Sequence, residues 1–127
     1  MPREWLRAAS DDIEAAQKLV KDDNLTNIAS FHCQQAIEKS FKAILEKHSA
    51  KIEKTHNLEK LYDKVSKFLK IELDESLLLI VNEMYIESRY PIDLGLLPDG
   101  KPPVSQVEVF IDFARFIWNS VKTYLEP

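Results

Sequence analysis

One short stretch of the sequence concentrates side chains that could do chemistry. His32, Gln35, Glu38, Lys39 and Lys42 recur at spacings of three or four residues. In an α-helix such spacings place side chains on one face, here within about three turns. Imidazole, amide, carboxylate and ammonium groups gathered in this way can bind a phosphate group or the edge of a nucleobase.

A solvated outer surface is the alternative interpretation of this face, because charges on the outside of a helix usually face water. Ile28 and Phe31 favour a covered face, since both are large and apolar yet fall on the same arc. A polar surface with an apolar rim is typical of an interface. Ile28 and Phe31 are therefore the predicted interface residues, and both interpretations of the arc stay open.

Metal, cofactor and nucleophile chemistry find little support in the sequence. His32 and Cys33 are adjacent, so on a helix they point about 100° apart and cannot easily share one metal ion. Cys33 falls on the apolar stripe of its helix and is predicted to be a small buried hydrophobe. No glycine-rich phosphate loop is present, and no spacing supports a Ser–His–Asp arrangement. We predict neither a metal nor a cofactor.

Five helices are predicted to position these residues, because apolar residues recur at helical spacing along most of the chain. Start and stop signals define them: proline in a first turn, capping residues, and a proline that ends the preceding helix. The first helix is predicted to run from Pro2 to Lys21, and the second from a cap at Thr26 or Asn27 to His48. The third is predicted to start at Asn57, and the fourth to run from Asp74 to Arg89 or Tyr90. A long loop over residues 91–103 then precedes a fifth helix capped by Ser105.

The predicted core follows the apolar stripe of each helix. On the first helix Asp11, Asp12, Glu14 and Lys18 are placed outside. The inward residues of the second helix are Ala29, Cys33, Ala36, Ile37, Ser40, Phe41 and Ile44, and those of the third are Leu58, Leu61, Tyr62, Val65, Phe68 and Leu69. The inward residues of the fourth helix are Leu77, Ile80, Val81, Met84 and Tyr85. Those of the fifth are Val109, Phe110, Phe113, Phe116, Ile117, Val121 and Tyr124. Short links predict antiparallel neighbours, hence an all-α, up-and-down bundle of four long helices plus one shorter helix, in a single domain over residues 1–127.

Composition restricts the function classes. A chain of 127 residues with 45% apolar residues can bury a core without disulfides, and one cysteine cannot form an internal disulfide, which favours a reducing, cytoplasmic setting. No apolar run is long enough to cross a membrane, and the first residues lack a signal-peptide core. A net charge of −4 disfavours attraction of nucleic acid or anionic lipid to the whole surface, although a local basic patch could still bind phosphate.

Three segments together resemble the HEPN domain family (higher eukaryotes and prokaryotes nucleotide-binding). Residues 31–43, Phe-His-Cys-Gln-Gln-Ala-Ile-Glu-Lys-Ser-Phe-Lys-Ala, closely resemble the family's signature helix. Thr55-His56-Asn57-Leu58 and Ser88-Arg89-Tyr90-Pro91 agree with the family in order and spacing. Trp5-Leu6 followed by Asp11-Asp12 is similar to the family's first helix, so the resemblance spans most of the chain.

The resemblance implies a helical bundle that often forms a homodimer and is frequently encoded beside a small nucleotidyltransferase-fold protein. Many such pairs are toxin–antitoxin or defence modules, and many members are metal-independent ribonucleases. Those ribonucleases carry an arginine followed four to six residues later by a histidine. Here neither Arg89 nor Arg115 is followed by a histidine at that spacing.

The missing histidine matters because RNA cleavage through the 2′-hydroxyl needs a base and a group that stabilises the phosphorane charge. The Arg89 guanidinium could stabilise charge, but it stays protonated and is a poor base. His32 or His56 could complete such a site by folding back towards it. The sequence therefore favours binding over catalysis, with Arg89 and His32 as the catalytic candidates if the protein is a nuclease.

Three residues outside the second helix are also predicted to bind the ligand: His56, Arg89 and Tyr90. Each has a structural alternative. His56 could be a cap partner at the start of the third helix. Arg89 could pair with Glu38 or Glu87, and Tyr90 could have no role beyond shaping the loop. These alternatives stay open.

The leading hypothesis is a nucleotide- or partner-binding HEPN domain that acts with a nucleotidyltransferase-like protein in a toxin–antitoxin or defence module. Lys39, Lys42 and Arg89 would contact phosphate. His32 and Gln35 would offer hydrogen bonds, and Glu38 would orient Arg89. One alternative is a metal-independent ribonuclease toxin with an atypical site; another is a purely structural dimerisation module.

Overall fold

The computed structural model describes residues 1–52, 54–89 and 101–127, with the side chains of residues 85–89 outside the description. Within these ranges the chain forms five α-helices: α1 (Pro2–Leu19), α2 (Thr26–Lys47), α3 (Leu58–Val65), α4 (Glu75–Arg89) and α5 (Val104–Leu125). They pack as a bundle, which confirms the predicted all-α fold. Among the described helices none is both long and apolar enough to cross a membrane.

The helix starts follow local capping chemistry only in part. Asn57 caps α3 as predicted, because its side chain accepts a hydrogen bond from the Lys60 N–H at 3.1 Å. The cap predicted at Thr26 or Asn27 is wrong, since Leu25 is the N-cap of α2 and makes no side-chain capping bond. The cap predicted at Ser105 is also wrong: α5 begins directly after Pro103, whose ring fixes φ at a value that suits entry into a helix.

Helix α2 lies at the centre of the bundle and packs against all four other helices. Its predicted core stripe is confirmed, since every member from Ala29 to Ile44 is buried. Fully buried alanines on both α1 and α2, such as Ala9 and Ala36, permit close approach of these two helices. Because α2 has neighbours on so many sides, part of its polar face is covered as well.

Four apolar residues that the sequence places in the core are exposed instead: Phe68, Ile80, Val109 and Phe116. Val109 and Phe116 lie about 100–120° around α5 from Phe110, so they sit at the margin of the apolar stripe. Helical spacing fixes the centre of a stripe, but the neighbouring helices decide how much of its width is buried. On α4, Leu78 is buried although the predicted stripe omits it, whereas Ile80, about 200° further around the helix, is exposed. The predicted burial of Tyr85 lies outside the described side chains.

Candidate functional site

Asp12 is the first of two buried carboxylates beside the polar face of α2. It is only 8% exposed, so the prediction that it lies on the solvent-facing side of α1 is wrong. Its Oδ1 atom lies 2.8 Å from His32 Nδ1, and its Oδ2 atom accepts a hydrogen bond from Lys39 Nζ at 2.7 Å. A carboxylate is buried at acceptable cost only when it is paired, and α2 supplies both partners across the contact with α1.

Glu38 is the second buried carboxylate and is 3% exposed. Its Oε2 atom pairs with Lys42 Nζ at 2.9 Å, and its Oε1 atom lies 2.9 Å from His56 Nδ1. The Lys42 ammonium is buried too, and it lies 5.7 Å from the centroid of a Trp5 ring, within range of a cation–π interaction. The solvated-surface interpretation is therefore wrong for Glu38 and Lys42.

Gln34 completes the second cluster, and the sequence did not predict it. Its side chain is fully buried. The Gln34 amide nitrogen donates to the His56 carbonyl at 2.9 Å, and its oxygen accepts from Gln35 Nε2 at 2.7 Å. Gln34 thereby ties the segment before α3 to α2. The available signal was its position between the apolar stripe and the polar arc of α2, where a buried amide must find partners.

The two carboxylates share one arrangement: each lies within hydrogen-bonding distance of the Nδ1 atom of a histidine. Since a carboxylate only accepts, the imidazole Nδ1–H donates to it, which fixes the ring's orientation. An imidazole held in this way is suited to proton transfer or to hydrogen bonding with a ligand. The His32 side chain is partly exposed and that of His56 is 48% exposed, so both rings reach the surface.

The structure brings the predicted site residues together in two groups and leaves two residues undecided. His32 and Lys39 meet at Asp12, whereas Gln35, Glu38, Lys42 and His56 gather with Gln34. The predicted interface residue Ile28 is exposed, and Phe31 packs edge-on against the His32 ring. Arg89 is the last residue of α4. Its side chain, its predicted pairing with Glu38 or Glu87, and Tyr90 lie outside the described residues.

Cys33 is buried as predicted, in the core beneath this face. Burial, with a smaller contribution from the nearby Asp12 charge, raises the pKa of the Cys33 thiol from 9.0 to about 12. The thiolate is the nucleophilic form of cysteine. Cys33 is therefore a packing residue and not a nucleophile at neutral pH.

We expect the Cys33 thiol to resist thiol–disulfide exchange with an added reagent in the folded protein. A pKa raised from 9.0 to about 12 lowers the thiolate fraction at pH 8 about a thousandfold, and burial blocks the reagent as well. Ellman's reagent at pH 8 should report one thiol per chain in denaturant and almost none without it. Complete labelling of the native protein within minutes would contradict the assigned burial.

No group of three or more histidine, cysteine, aspartate or glutamate residues in the described part of the chain is arranged to hold a metal ion. A cavity of about 460 Å³ lies elsewhere, between the beginning of α1 and the end of α5, and its lining includes Arg3, Arg7 and Lys47. What the polar face of α2 offers a ligand is therefore hydrogen-bond donors, hydrogen-bond acceptors and charges, and this cavity is not part of that face.

Comparison with known proteins identifies the family. A model of the HEPN domain matches residues 2–124. The fold is similar to that of ST0689, an archaeal HEPN homologue, with a TM-score of 0.75 and 22% identity over 99% of this chain and 98% of that one. It is also similar to the TT1696 protein from Thermus thermophilus, with a TM-score of 0.76 and 22% identity over 96% of each chain.

No curated protein sequence matches the chain significantly. At 22% identity the two solved structures show a shared fold and nothing more specific. The family model, in contrast, covers nearly the whole sequence, including the helix that carries the polar face and the segment that carries His56. The chain belongs to the HEPN domain family.

Proposed function

We propose that this HEPN domain binds a nucleotide, or a phosphate-bearing surface of a nucleotidyltransferase-like protein, through the polar face of α2. The observation that carries the proposal is the Asp12 cluster, in which one buried carboxylate holds Lys39 and His32 in place. The Lys39 side chain is 26% exposed, and its ammonium has three donors, of which Asp12 takes one. A preorganised cation loses little side-chain freedom when it binds phosphate.

The other residues of the face have supporting roles in this proposal. His32 and Gln35 offer hydrogen bonds to the ligand. Lys42 and Arg89 are the further cations assigned to phosphate, although Lys42 reaches a ligand only when its pair with Glu38 opens. Glu38 holds His56 at the edge of the face. In the proposed site Glu38 would also orient Arg89, whose side chain lies outside the described residues. Tyr90 belongs to the same proposed site.

The proposal is tested by purifying the tagged full chain from its own cells and titrating it with ATP and GTP in a calorimeter. A nucleotidyltransferase-like protein in the eluate, or saturable nucleotide binding, would support the proposal. Such a partner would also support a role in a toxin–antitoxin or defence module. A chain that purifies alone and binds neither nucleotide at millimolar concentration would refute it.

Metal-independent RNA cleavage is a second candidate, and one observation favours it. The sequence lacks the family's histidine after arginine. His56 is a candidate base, because its Nδ1 atom lies 2.9 Å from the buried Glu38 carboxylate. An imidazole oriented by a carboxylate is a common general base. RNA cleavage in EDTA that is lost in both His56→Ala and Arg89→Ala would establish a nuclease and replace the binding proposal.

Ile28 is the residue we expect to control self-association, since the family resemblance implies a homodimer and Ile28 is a predicted interface residue. Ile28 is 40% exposed beside the polar face, and a charge placed there would be buried without a partner on dimerisation. Light scattering should give a dimer for the wild type and the 14.7 kDa monomer for Ile28→Glu. The control is Val109→Glu on α5, which is similarly exposed and should stay dimeric.

A monomeric wild type, or dissociation caused by Val109→Glu and not by Ile28→Glu, would contradict the assigned interface. A stable dimer that binds neither nucleotide nor partner would instead support a purely structural dimerisation module.

A further inference from the structure

Positive charge is concentrated in one part of this acidic chain. Residues 47–70 contain seven lysines and three acidic residues, a net charge of +4, whereas the whole chain carries −4. The segment runs from the end of α2, through α3, to the residues that follow α3. None of its charges belongs to the Asp12 cluster on the polar face of α2.

Three aromatic rings meet at the end of the bundle where this segment begins. The His48 ring stacks on the Phe68 ring with centroids 4.2 Å apart and planes only 6° from parallel. His48 Nε2 lies 2.6 Å from the Tyr124 hydroxyl. These contacts join the end of α2, the turn after α3 and the end of α5. The rings are accessible: Phe68 is 38% exposed, and His48 is also exposed.

Exposed lysines flank the stacked rings in the sequence. Lys47 and Lys51 lie on either side of His48, and Lys67 directly precedes Phe68. No ion pair between described residues involves any of these three lysines. We call the three rings and these three lysines the basic–aromatic patch.

Helix dipoles do not explain this patch. A lysine in the last turn of a helix is stabilised by the negative end of the dipole, and this suffices for Lys47. Lys51 and Lys67, however, lie beyond the ends of α2 and α3. The dipole also gives no reason for a phenylalanine to stay exposed while it stacks on a parallel imidazole ring.

We propose that the basic–aromatic patch binds single-stranded nucleic acid. Proteins that bind single strands combine a positively charged track for the phosphates with aromatic faces on which bases stack. The Phe68 and His48 rings provide the stacking faces, and Lys47, Lys51 and Lys67 provide the charges. A duplex is disfavoured because its bases are already stacked on one another. An anionic membrane is disfavoured because Phe68 is the one large exposed apolar side chain of the patch, too little to insert into lipid.

The test uses fluorescence anisotropy with the full chain and labelled 15-nucleotide oligouridylate, 15-nucleotide oligodeoxyuridylate and a 15-base-pair duplex. We expect both single strands to bind more tightly than the duplex; a preference for the RNA strand would indicate contacts to the 2′-hydroxyl. Phe68→Ala should weaken single-strand binding about 5- to 100-fold, the loss of one stacked base. Phe68→Tyr keeps an aromatic face and should retain the affinity.

Phe116→Ala is the matched control, because Phe116 is a comparably exposed phenylalanine outside the patch and its loss should change nothing. Lys51→Gln and Lys67→Gln should each reduce the slope of log affinity against log salt by about 0.7, and Lys18→Gln on α1 should not. The proposal is overturned if Phe68→Ala binds like the wild type, or if the duplex binds as tightly as the single strands. It is equally overturned if phosphatidylserine vesicles bind in a Phe68-dependent way while the oligonucleotides do not.

The patch is separate from the polar face of α2, so the two proposals can fail independently. Lys39→Glu should leave oligonucleotide binding unchanged, and Phe68→Ala should leave the titration with ATP and GTP unchanged. Loss of strand binding in Lys39→Glu alone would locate the strand on α2 and overturn the assignment to the patch.

Discussion

Glu38→Leu is expected to lower the free energy of unfolding by about 3–5 kcal/mol, because it leaves the Lys42 ammonium buried without its counter-ion. Glu38 and Lys42 are both buried and lie 2.9 Å apart. The amides of Gln34 and Gln35 keep other hydrogen-bond partners in this variant. The measurement is urea unfolding followed by circular dichroism.

Two comparisons isolate the charge effect. Glu38→Leu combined with Lys42→Met removes both charges, and we expect it to recover most of the lost stability, since an apolar pair can replace a buried ion pair. Glu14→Leu is the surface control: Glu14 and Lys18 have the same spacing of four residues but are largely exposed. Its cost should stay below about 0.5 kcal/mol. Two results would contradict this account. Either Glu38→Leu would be as stable as Glu14→Leu, or the double variant would be as unstable as Glu38→Leu. Each would show that the unpaired Lys42 charge is not the cause of the lost stability.

Lys39→Glu is expected to weaken nucleotide binding about 100-fold. The change removes a charge-assisted hydrogen bond of about 1.5–3 kcal/mol and adds repulsion between the new carboxylate and the phosphate. Lys39→Gln removes the positive charge without adding a negative one and should weaken binding about tenfold. Titration calorimetry with ATP or GTP measures both variants.

The controls address folding and non-specific charge. Lys18→Glu makes the same charge change at an exposed position of α1 and should leave the affinity within about twofold of the wild type. Because Lys39→Glu places a second carboxylate beside Asp12, its helix content and unfolding midpoint are measured as well. Equal affinity of wild type and Lys39→Gln, with both folded, would remove Lys39 from the proposed site.

Local sequence signals predicted the elements of this fold well. The core stripe of α2 from Ala29 to Ile44 and the cap at Asn57 both depend on residues within a few turns of one another. Burial at the margin of a stripe depends on the position of neighbouring helices, which spacing does not encode. Spacing alone therefore predicts Phe116 to face inward and Asp12 to face outward, and both predictions are wrong.

The sequence predicts which residues of α2 share the polar face, but it does not predict which of them are buried or which contacts they make. The spacing of Glu38 and Lys42 indicates that they can pair, yet their burial follows from the central position of α2 in the bundle. His56 reaches Glu38 from a separate segment 18 residues away, and no local pattern specifies that contact. Gln34 belongs to the site through its hydrogen bond to the His56 carbonyl in this same segment, so no local pattern specifies its role either.

The most direct test of the proposed α2 binding face is nuclear magnetic resonance titration of the ¹⁵N-labelled full chain with ATP. We expect the largest shift changes at His32 and Lys39, which Asp12 holds in place, and at Gln35 on the same face of α2, with little change at Phe68 or Lys67. Shift changes confined to the end of the bundle around Phe68, or none at millimolar ATP, would contradict nucleotide binding by this face.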